Sequence, residues 1–449
     1  MAKSVAKAPK AVGGVSKSDN GFQITIGGFK SISRNLTLDF RPLTVLSGAN
    51  SSGKSSFMQP LLLLKQTIEA AYDPGALLIN GPHAKFTTTQ QFLSESSNAK
   101  RADNLTIGFR NMRSGLTLEF VRKENKPIEL RQQTTKLGSE EFSLTVGGRY
   151  QSLKDLPKPL RMYLSSMFPS SFLDASYEVI RERCFLTLAF TVKGGHFYTF
   201  PAGQSLVGDF PRVLQSMIHL PGLRGNPERT YAISAVGATY AGPFQSYAAS
   251  IIDGWYEQSS PSLATLNHYL QDLHLASGIM TRKVDETQVE LRVNRVAGQN
   301  SSFVSIADVG MAVSQVLPVL VALATAKKGQ IVFIEQPELH LHPRAQLDLA
   351  RIICGAVERG INLIIETHSS LLLLGIQTSI AEGVIDAKNV ALHWFGRDTD
   401  GVTCVETAAV DRDGSFGDWP EDFGDISLEA EDKYLTAVEN AKAKQRKHA

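Results

Sequence analysis

The sequence predicts an α/β fold: a mixed, largely parallel sheet flanked by helices, with an inserted β-rich lobe and a helical lobe. Three observations predict it. A glycine-bearing loop, "GANSSGKS" at 48–55, stands between the apolar run "LTVLS" and the helical run "SSFMQPLLLLKQTIEAAY". The C-terminal part alternates short apolar strands with helices, the rhythm of a parallel sheet with crossovers. Between these parts lie "NLTIGFRN", "GLTLEFVRK", "EFSLTVGGRY" and "CFLTLAFTVK", which alternate as half-buried strands do.

Taken in order, residues 1–20 read as a disordered tail of small and polar residues, with basic positions but no apolar segment of a secretory signal. Residues 21–100 carry "FQITIGGFKSI", "LTLDF" and "LTVLS" as three short strands, then the loop and a helix that Pro60 is expected to bend. Residues 101–230 form the inserted β-rich or mixed lobe, with a helical piece around 154–168 and a turn-rich linker, "LPGLRGNPERTY", at 220–231. Residues 231–410 hold the helix "SLATLNHYLQDLHLA" and a second helix after Gly310. The strand "QIVFIE", the helix "RAQLDLARIICGAVERG", the strand "NLIIET", the helix "SSLLLLGIQTSIAEG" and the strand "NVALHWFGR" follow. Residues 411–449 are a C-terminal segment ending in the basic tail "NAKAKQRKHA".

Composition bounds the function classes. At 449 residues the chain exceeds a single core, so two or three lobes are expected. An apolar fraction of 43% and a charged fraction of 20% are those of a soluble globular protein. The net charge of +2 neither demands nor excludes a nucleic-acid partner. Cys184, Cys354 and Cys404 lie far apart with no CxxC, which points away from disulfides and zinc and toward a reducing cytoplasm. The longest apolar run, 311–326, is too short for a bilayer and contains Ser, Gln and Pro, so a buried helix and no membrane contact are expected.

The loop carries the first half of a site. Gly48 and Gly53 permit backbone conformations that bring successive N–H groups of Gly48, Ala49, Asn50, Ser51, Ser52, Gly53, Lys54, Ser55 and Ser56 onto phosphates. Lys54 reaches the β- and γ-phosphates, the Ser55 hydroxyl ligates Mg²⁺, and the following helix aims its positive end at the same anion. ATP and Mg²⁺ are the expected cofactors.

The second half lies roughly 280 residues further on. "QIVFIEQPELHLHP" sends Ile331 to Ile334 into Glu335, an acid at the end of a buried strand and the candidate to hold Mg²⁺. Gln336 stands where, by resemblance to ABC-type ATPases, a glutamate that polarises the attacking water is expected. An amide orients water but takes no proton, so turnover is slow or Glu338 is the base; a helix cap is the other reading of Glu338. Glu338, His340 and His342 alternate and offer a metal reading as well. "IIETHS" ends in His368, a candidate γ-phosphate sensor. Asp308 and Gly310, opening a helix about 25 residues before Glu335, resemble the signature element of ABC-type ATPases, and that resemblance implies contact with the nucleotide of an opposite subunit. Ser305, Ser314 and Gln315 are alternatives to Asp308 there. "DRD" at 411–413 reads as a solvated turn.

"GFKSI", "GANSSGKSS", "FIEQPELHLHP" and "ETHSS" together resemble the RecF/OLD/SMC branch of ABC-type ATPases, over roughly 21–100 and 300–425. "LPGLRGNPERTY" and "GSFGDWPEDF" resemble a compact bacterial AAA-family subgroup of anti-phage defence cassettes, similar to Septu- and PARIS-type ATPase subunits. No long coiled coil of the SMC kind is read in the sequence, and with roughly 80 residues after His368 no Toprim domain is expected there. The resemblance implies a P-loop NTPase of ABC-head type that closes as a homodimer or higher homo-oligomer around ATP. It further implies a slowly hydrolysing sensor or scaffold controlling an effector, a nuclease or toxin encoded nearby. A RecF-like DNA-repair ATPase and a nucleotide-locked scaffold remain the alternatives.

Overall fold

The computed structural model describes residues 21–95, 102–124, 126–167, 175–192, 196–199, 208–237, 239–294, 302–417 and 432–438. The expected tails at 1–20 and 440–449 lie outside these residues, as does the end of "GSFGDWPEDF".

The chain opens with the antiparallel hairpin β1 (Phe22–Gly27) and β2 (Leu36–Phe40), then β3 (Leu43–Gly48), buried along its whole length, and α1 (Lys54–Glu69), which continues through Pro60. β4 (Asn104–Arg110), β5 (Ser114–Val121), β6 (Glu129–Leu137) and β7 (Glu140–Thr145) do not make a separate sheet. β4 pairs with β1, Ile107 opposite Ile26, and the order runs β2-β1-β4-β5-β6-β7. The expected boundary near residue 100 therefore cuts a continuous sheet. The reason is the second edge of β1, whose unpaired backbone groups need a partner. β8 (Arg149–Tyr150), α2 (Lys158–Met167), β9 (Ala175–Glu182), β10 (Phe185–Val192) and β11 (Phe197–Thr199) follow, and their strands form a second antiparallel sheet.

α3 (Phe210–Ser216) leads into β12 (Ile218–Leu220). β13 (Tyr231–Ala232), α4 (Ala248–Glu257), α5 (Pro261–Asp272), β14 (Gly278–Lys283), β15 (Gln288–Asn294) and β16 (Phe303–Ser305) build a small antiparallel sheet with helices against it. α6 (Met311–Thr325), β17 (Ile331–Glu335), α7 (Pro343–Glu358), β18 (Asn362–Glu366), α8 (Ser370–Ala381), β19 (Val390–Arg397) and β20 (Thr403–Thr407) complete the described core.

The central sheet has the order β12-β17-β18-β3-β19-β20, parallel except for β20. It is covered on both faces, which is why its strands read as unbroken apolar runs. Alternation divides each strand between two cores. Val332, Ile334, Leu363 and Ile365 face the core shared with the C-terminal helices. Phe333, Ile364 and Phe395 face the core shared with α1 and the large antiparallel sheet. The α/β P-loop head expected from the sequence is thus the fold. No described helix is long and apolar enough to cross a membrane, and the three cysteines are unpaired.

Parallel pairing gathers the C-terminal ends of β3, β18 and β17 at one edge. Glu366 stands opposite Leu46 on one side and Glu335 on the other, so β18 separates the loop-bearing strand from the strand of Glu335.

Candidate functional site

The loop after β3 is a tight cradle. Gly48 and Gly53 have φ of 137° and 113°. A Cβ at Gly48 would stand 2.1 Å from the Phe395 carbonyl oxygen, and one at Gly53 would stand 2.3 Å from Thr403 Oγ1. Glycine is required at both positions. Thr403 braces the loop from behind: Oγ1 donates to the Ser52 carbonyl at 2.9 Å, and Ser31 Oγ lies 2.7 Å from the same hydroxyl. Sequence reasoning missed Thr403 and Ser31, because the packing of β20 beside β19 brings Thr403 to the loop and the turn after β1 brings Ser31 to Thr403.

Ala49, Asn50 and Ser51 form the exposed rim, Ser52, Gly53 and Lys54 the buried floor, and Ser55 and Ser56 are half-buried. Lys54 Nζ donates to the carbonyls of Gly48 at 3.0 Å and Ala49 at 2.8 Å and to Ser52 Oγ at 3.4 Å. Burial lowers its pKa to about 8, against the pull of Glu366.

Three acids gather at the strand ends, Glu366 and Glu338 buried and Glu335 half-buried. Ser55 Oγ donates to Glu366 Oε1 at 2.7 Å. Glu366 is 5% exposed, and its Oε2 has no hydrogen-bond partner among the described residues. Burial, together with the charges of Glu335 and Glu338, raises its pKa to about 7 despite Ser55 and Lys54.

Glu335 is turned elsewhere. His219 Nε2 donates to its Oε1 at 3.1 Å and the Gly222 N–H to its Oε2 at 3.2 Å. Burial resists ionisation of Glu335, but those two bonds with the charges of His219 and Arg224 hold its pKa below the ordinary value. His219 is itself fixed, Nδ1 to Nδ1 at 3.0 Å from His83, whose Nε2 donates to Glu69 Oε2 at 3.0 Å. Lys65 Nζ donates to Glu69 Oε1 at 2.5 Å, so a buried polar chain runs from Glu335 to the far end of α1.

The expected linker at 220–231 is part of the site. Buried Arg224 donates to the carbonyls of Glu335 at 2.5 Å, Gln336 at 3.0 Å and Gln315 at 3.2 Å. Gln336 has a left-handed backbone with φ of 45°, and its N–H donates to the Glu366 carbonyl at 2.7 Å.

Glu338 is buried, and its Oε1 accepts from Thr367 Oγ1 at 2.6 Å and from the His368 N–H at 3.3 Å. Its Oε2 is unpartnered among the described residues, and burial raises its pKa. It does not cap the following helix; the His342 side chain does, accepting from the Arg344 N–H. With His340 and His342 exposed, the Glu338–His340–His342 metal reading fails. Among the described residues, no three His, Cys, Asp or Glu side chains gather to hold a metal by themselves. His368 is half-buried beside the Gly48 backbone and Lys54, and burial followed by the lysine charge lowers its pKa.

Gly310 is the exposed N-cap of α6. Asp308 is exposed and pairs with Arg229 at 2.9 Å and 3.2 Å. Ser314 Oγ donates to the Met311 carbonyl. Gln315, 2% exposed, turns inward and its Nε2 donates to the Gly225 carbonyl at 2.5 Å, while Ser305 is buried and caps a turn. Gln315 and Ser305 therefore cannot meet another subunit as they stand. Asp411 and Asp413 form a turn closed onto Ser415, as expected.

Residues 268–374 match the family model described as "AAA domain, putative AbiEii toxin, Type IV TA system". That segment holds Glu335, Gln336, Glu338, Glu366 and His368; the glycine loop lies outside it. No curated protein matches the chain. Solved structures similar to it include an SMC head domain from Thermotoga maritima, 11% identical with a TM-score of 0.39, covering 86% of this chain and 98% of that one. An SmcHead bound to the C-winged helix domain of ScpA gives 12%, 0.44, 87% and 98%. A Pyrococcus furiosus Smc head with an extended coiled coil, bound to the C-terminal domain of ScpA, gives 10%, 0.37, 93% and 98%. The fold assignment rests on the strand order and the loop geometry above.

Proposed function

We propose that the chain is an ATP-operated switch: a slowly hydrolysing P-loop ATPase whose heads close on ATP as a homo-oligomer and thereby control a partner effector in anti-phage defence. The observation that carries this reading is the Gly48–Ser55 cradle, with Lys54 inside it and Ser55 bonded to an acid at the mouth of the parallel strands. ATP and Mg²⁺ fit these residues. The cradle has no room for a Cβ, its lysine is held only by neutral loop oxygens, and two buried carboxylate oxygens beside it lack partners among the described residues. When bound, Mg²⁺-ATP supplies a phosphate anion and a dication to the lysine and the acids respectively.

The chain's own groups set the rate. Gln336 can orient a water but cannot accept its proton. Glu338, two residues on and with its pKa raised by burial, is the base in reserve. His368, beside Lys54 and Gly48, is placed to register an occupied cradle. Gly310 and Asp308, exposed at the start of α6, are the surface offered to a second head. The effector role is supported by the description of the matching family model, which names a putative toxin of a toxin–antitoxin system.

The test is light scattering of the purified chain with and without a non-hydrolysed ATP analogue and Mg²⁺. A nucleotide-dependent rise in mass that Lys54→Ala lacks is the expected result. An unchanged mass would remove closure from the account.

A further inference from the structure

We infer that Glu366, rather than Glu335, is the protein carboxylate that shares the metal of a bound nucleotide with Ser55. The inference rests on the ATP reading above and names the metal side of that site.

Four observations carry it. Ser55 Oγ, the hydroxyl that the loop motif assigns to the metal, already bonds Glu366 Oε1 at 2.7 Å. The other oxygen of Glu366 has no partner among the described residues although the residue is 5% exposed. Buried polar atoms are nearly always paired, so an unpaired carboxylate oxygen beside a phosphate cradle marks a place for a cation.

Both oxygens of Glu335, in contrast, are engaged by His219 Nε2 and the Gly222 N–H. Turning Glu335 to the loop would orphan both donors. His219 is also held from behind by His83, which is held in turn by Glu69, itself fixed by Lys65 and the Gly242 N–H. Finally, β18 lies between β3 and β17, so Glu366 is one strand from the loop's strand and Glu335 is two. Neighbouring strands lie about 4.8 Å apart, so Glu335 starts one strand spacing further from the loop than Glu366 does.

Glu335 is then a positioning residue. Its carboxylate fastens Gly222, and its carbonyl accepts from Arg224, so it ties the 220–224 segment to the end of β17. Mg²⁺ in nucleotide sites commonly takes one or two carboxylates with the remainder from hydroxyl, phosphate and water, which is what Ser55 and Glu366 leave open.

The test uses Mn²⁺ as the probe on the full chain. Affinity for a non-hydrolysed ATP analogue is measured in EDTA and with Mn²⁺, and bound Mn²⁺ is counted by EPR. Wild type is expected to bind weakly in EDTA and more tightly with Mn²⁺. Glu366→Gln should keep the EDTA affinity, which shows that it is folded, and lose at least about tenfold of the Mn²⁺-dependent gain, on the order of one charge-assisted contact. Ser55→Ala should lose a similar share, and the double variant should lose less than the sum of the two, as residues acting on one ion do. Glu335→Gln should retain the gain to within about threefold, a difference of under 1 kcal/mol. Loss in Glu335→Gln equal to that in Glu366→Gln, or an unchanged Glu366→Gln, overturns the inference while leaving the ATP reading intact. Absence of any nucleotide binding by wild type overturns both.

Discussion

His393 and Glu366 occupy matching places. They stand on the two strands that flank β3, each directly opposite Leu46, and both are buried. The His393 ring is closed off: Nδ1 lies 2.9 Å from Thr407 Oγ1 and Nε2 donates to the Asp39 carbonyl at 2.8 Å. Glu366 has one oxygen on Ser55 and the other on nothing among the described residues. Burial moves both groups toward their uncharged forms, His393 down to about 4 and Glu366 up to about 7. The contrast teaches how to tell a structural polar group from a ligand-binding one in the same sheet. The first has every valence used inside the protein, and the second keeps one free at the price of stability.

Breaking the closed side should have the largest effect on folding. His393→Ala removes a fully buried ring and takes the donor from the Asp39 carbonyl, so chemical denaturation should show a loss of about 3 kcal/mol. On the open side the sign reverses. Glu366→Gln should make the nucleotide-free protein at pH 8 more stable, by up to about 2 kcal/mol, because a carboxylate held near pH 7 is ionised there at a cost. A clear loss of stability in that variant would contradict the contrast.

The two groups also pull stability in opposite directions with pH. The folded pKa of His393 lies below its unfolded value, so its contribution is complete above about pH 6.5 and is lost as pH falls toward 4. The folded pKa of Glu366 lies above its unfolded value, so its contribution is complete below about pH 4.5 and is lost as pH rises toward 7. Stability of His393→Phe relative to wild type should therefore improve as pH falls from 7 to 4, by roughly 1 kcal/mol per pH unit at most. A flat difference would show that the ring is protonated in place.

The smallest expected effect is kinetic. Gln336→Glu should raise ATP turnover by about tenfold, an order of magnitude below the roughly 100-fold that a well-placed general base contributes at the least. An unchanged rate, with Glu338→Gln inactive, would move the base to Glu338.

Much of this was legible in the sequence where a motif is contiguous. The cradle, the strand entering Glu335 and the strand entering His368 all stood where their residue runs placed them. Glu366 carried the same signal as Glu335, an acid ending a short apolar strand, but the residues after it drew the reading to His368. What spacing could not reveal was strand order. The insertion of β18 beside β3 brings Glu366 to Ser55, and the parallel pairing of Ile218–Leu220 with β17 brings His219 to Glu335. Thr403 reaches the loop in the same way, and Ser31 through Thr403. The continuous sheet of β1 and β4 was hidden because alternation announces a strand and leaves its neighbour unnamed.

The central claim is that the open end of this sheet is a nucleotide site, and calorimetric titration of ATP with Mg²⁺ into wild type and Lys54→Ala tests it most directly. Saturable binding to wild type with a loss of about 100-fold or more in Lys54→Ala, worth about 3 kcal/mol, is the predicted result. No binding to wild type, or equal affinity in the two proteins, would contradict it.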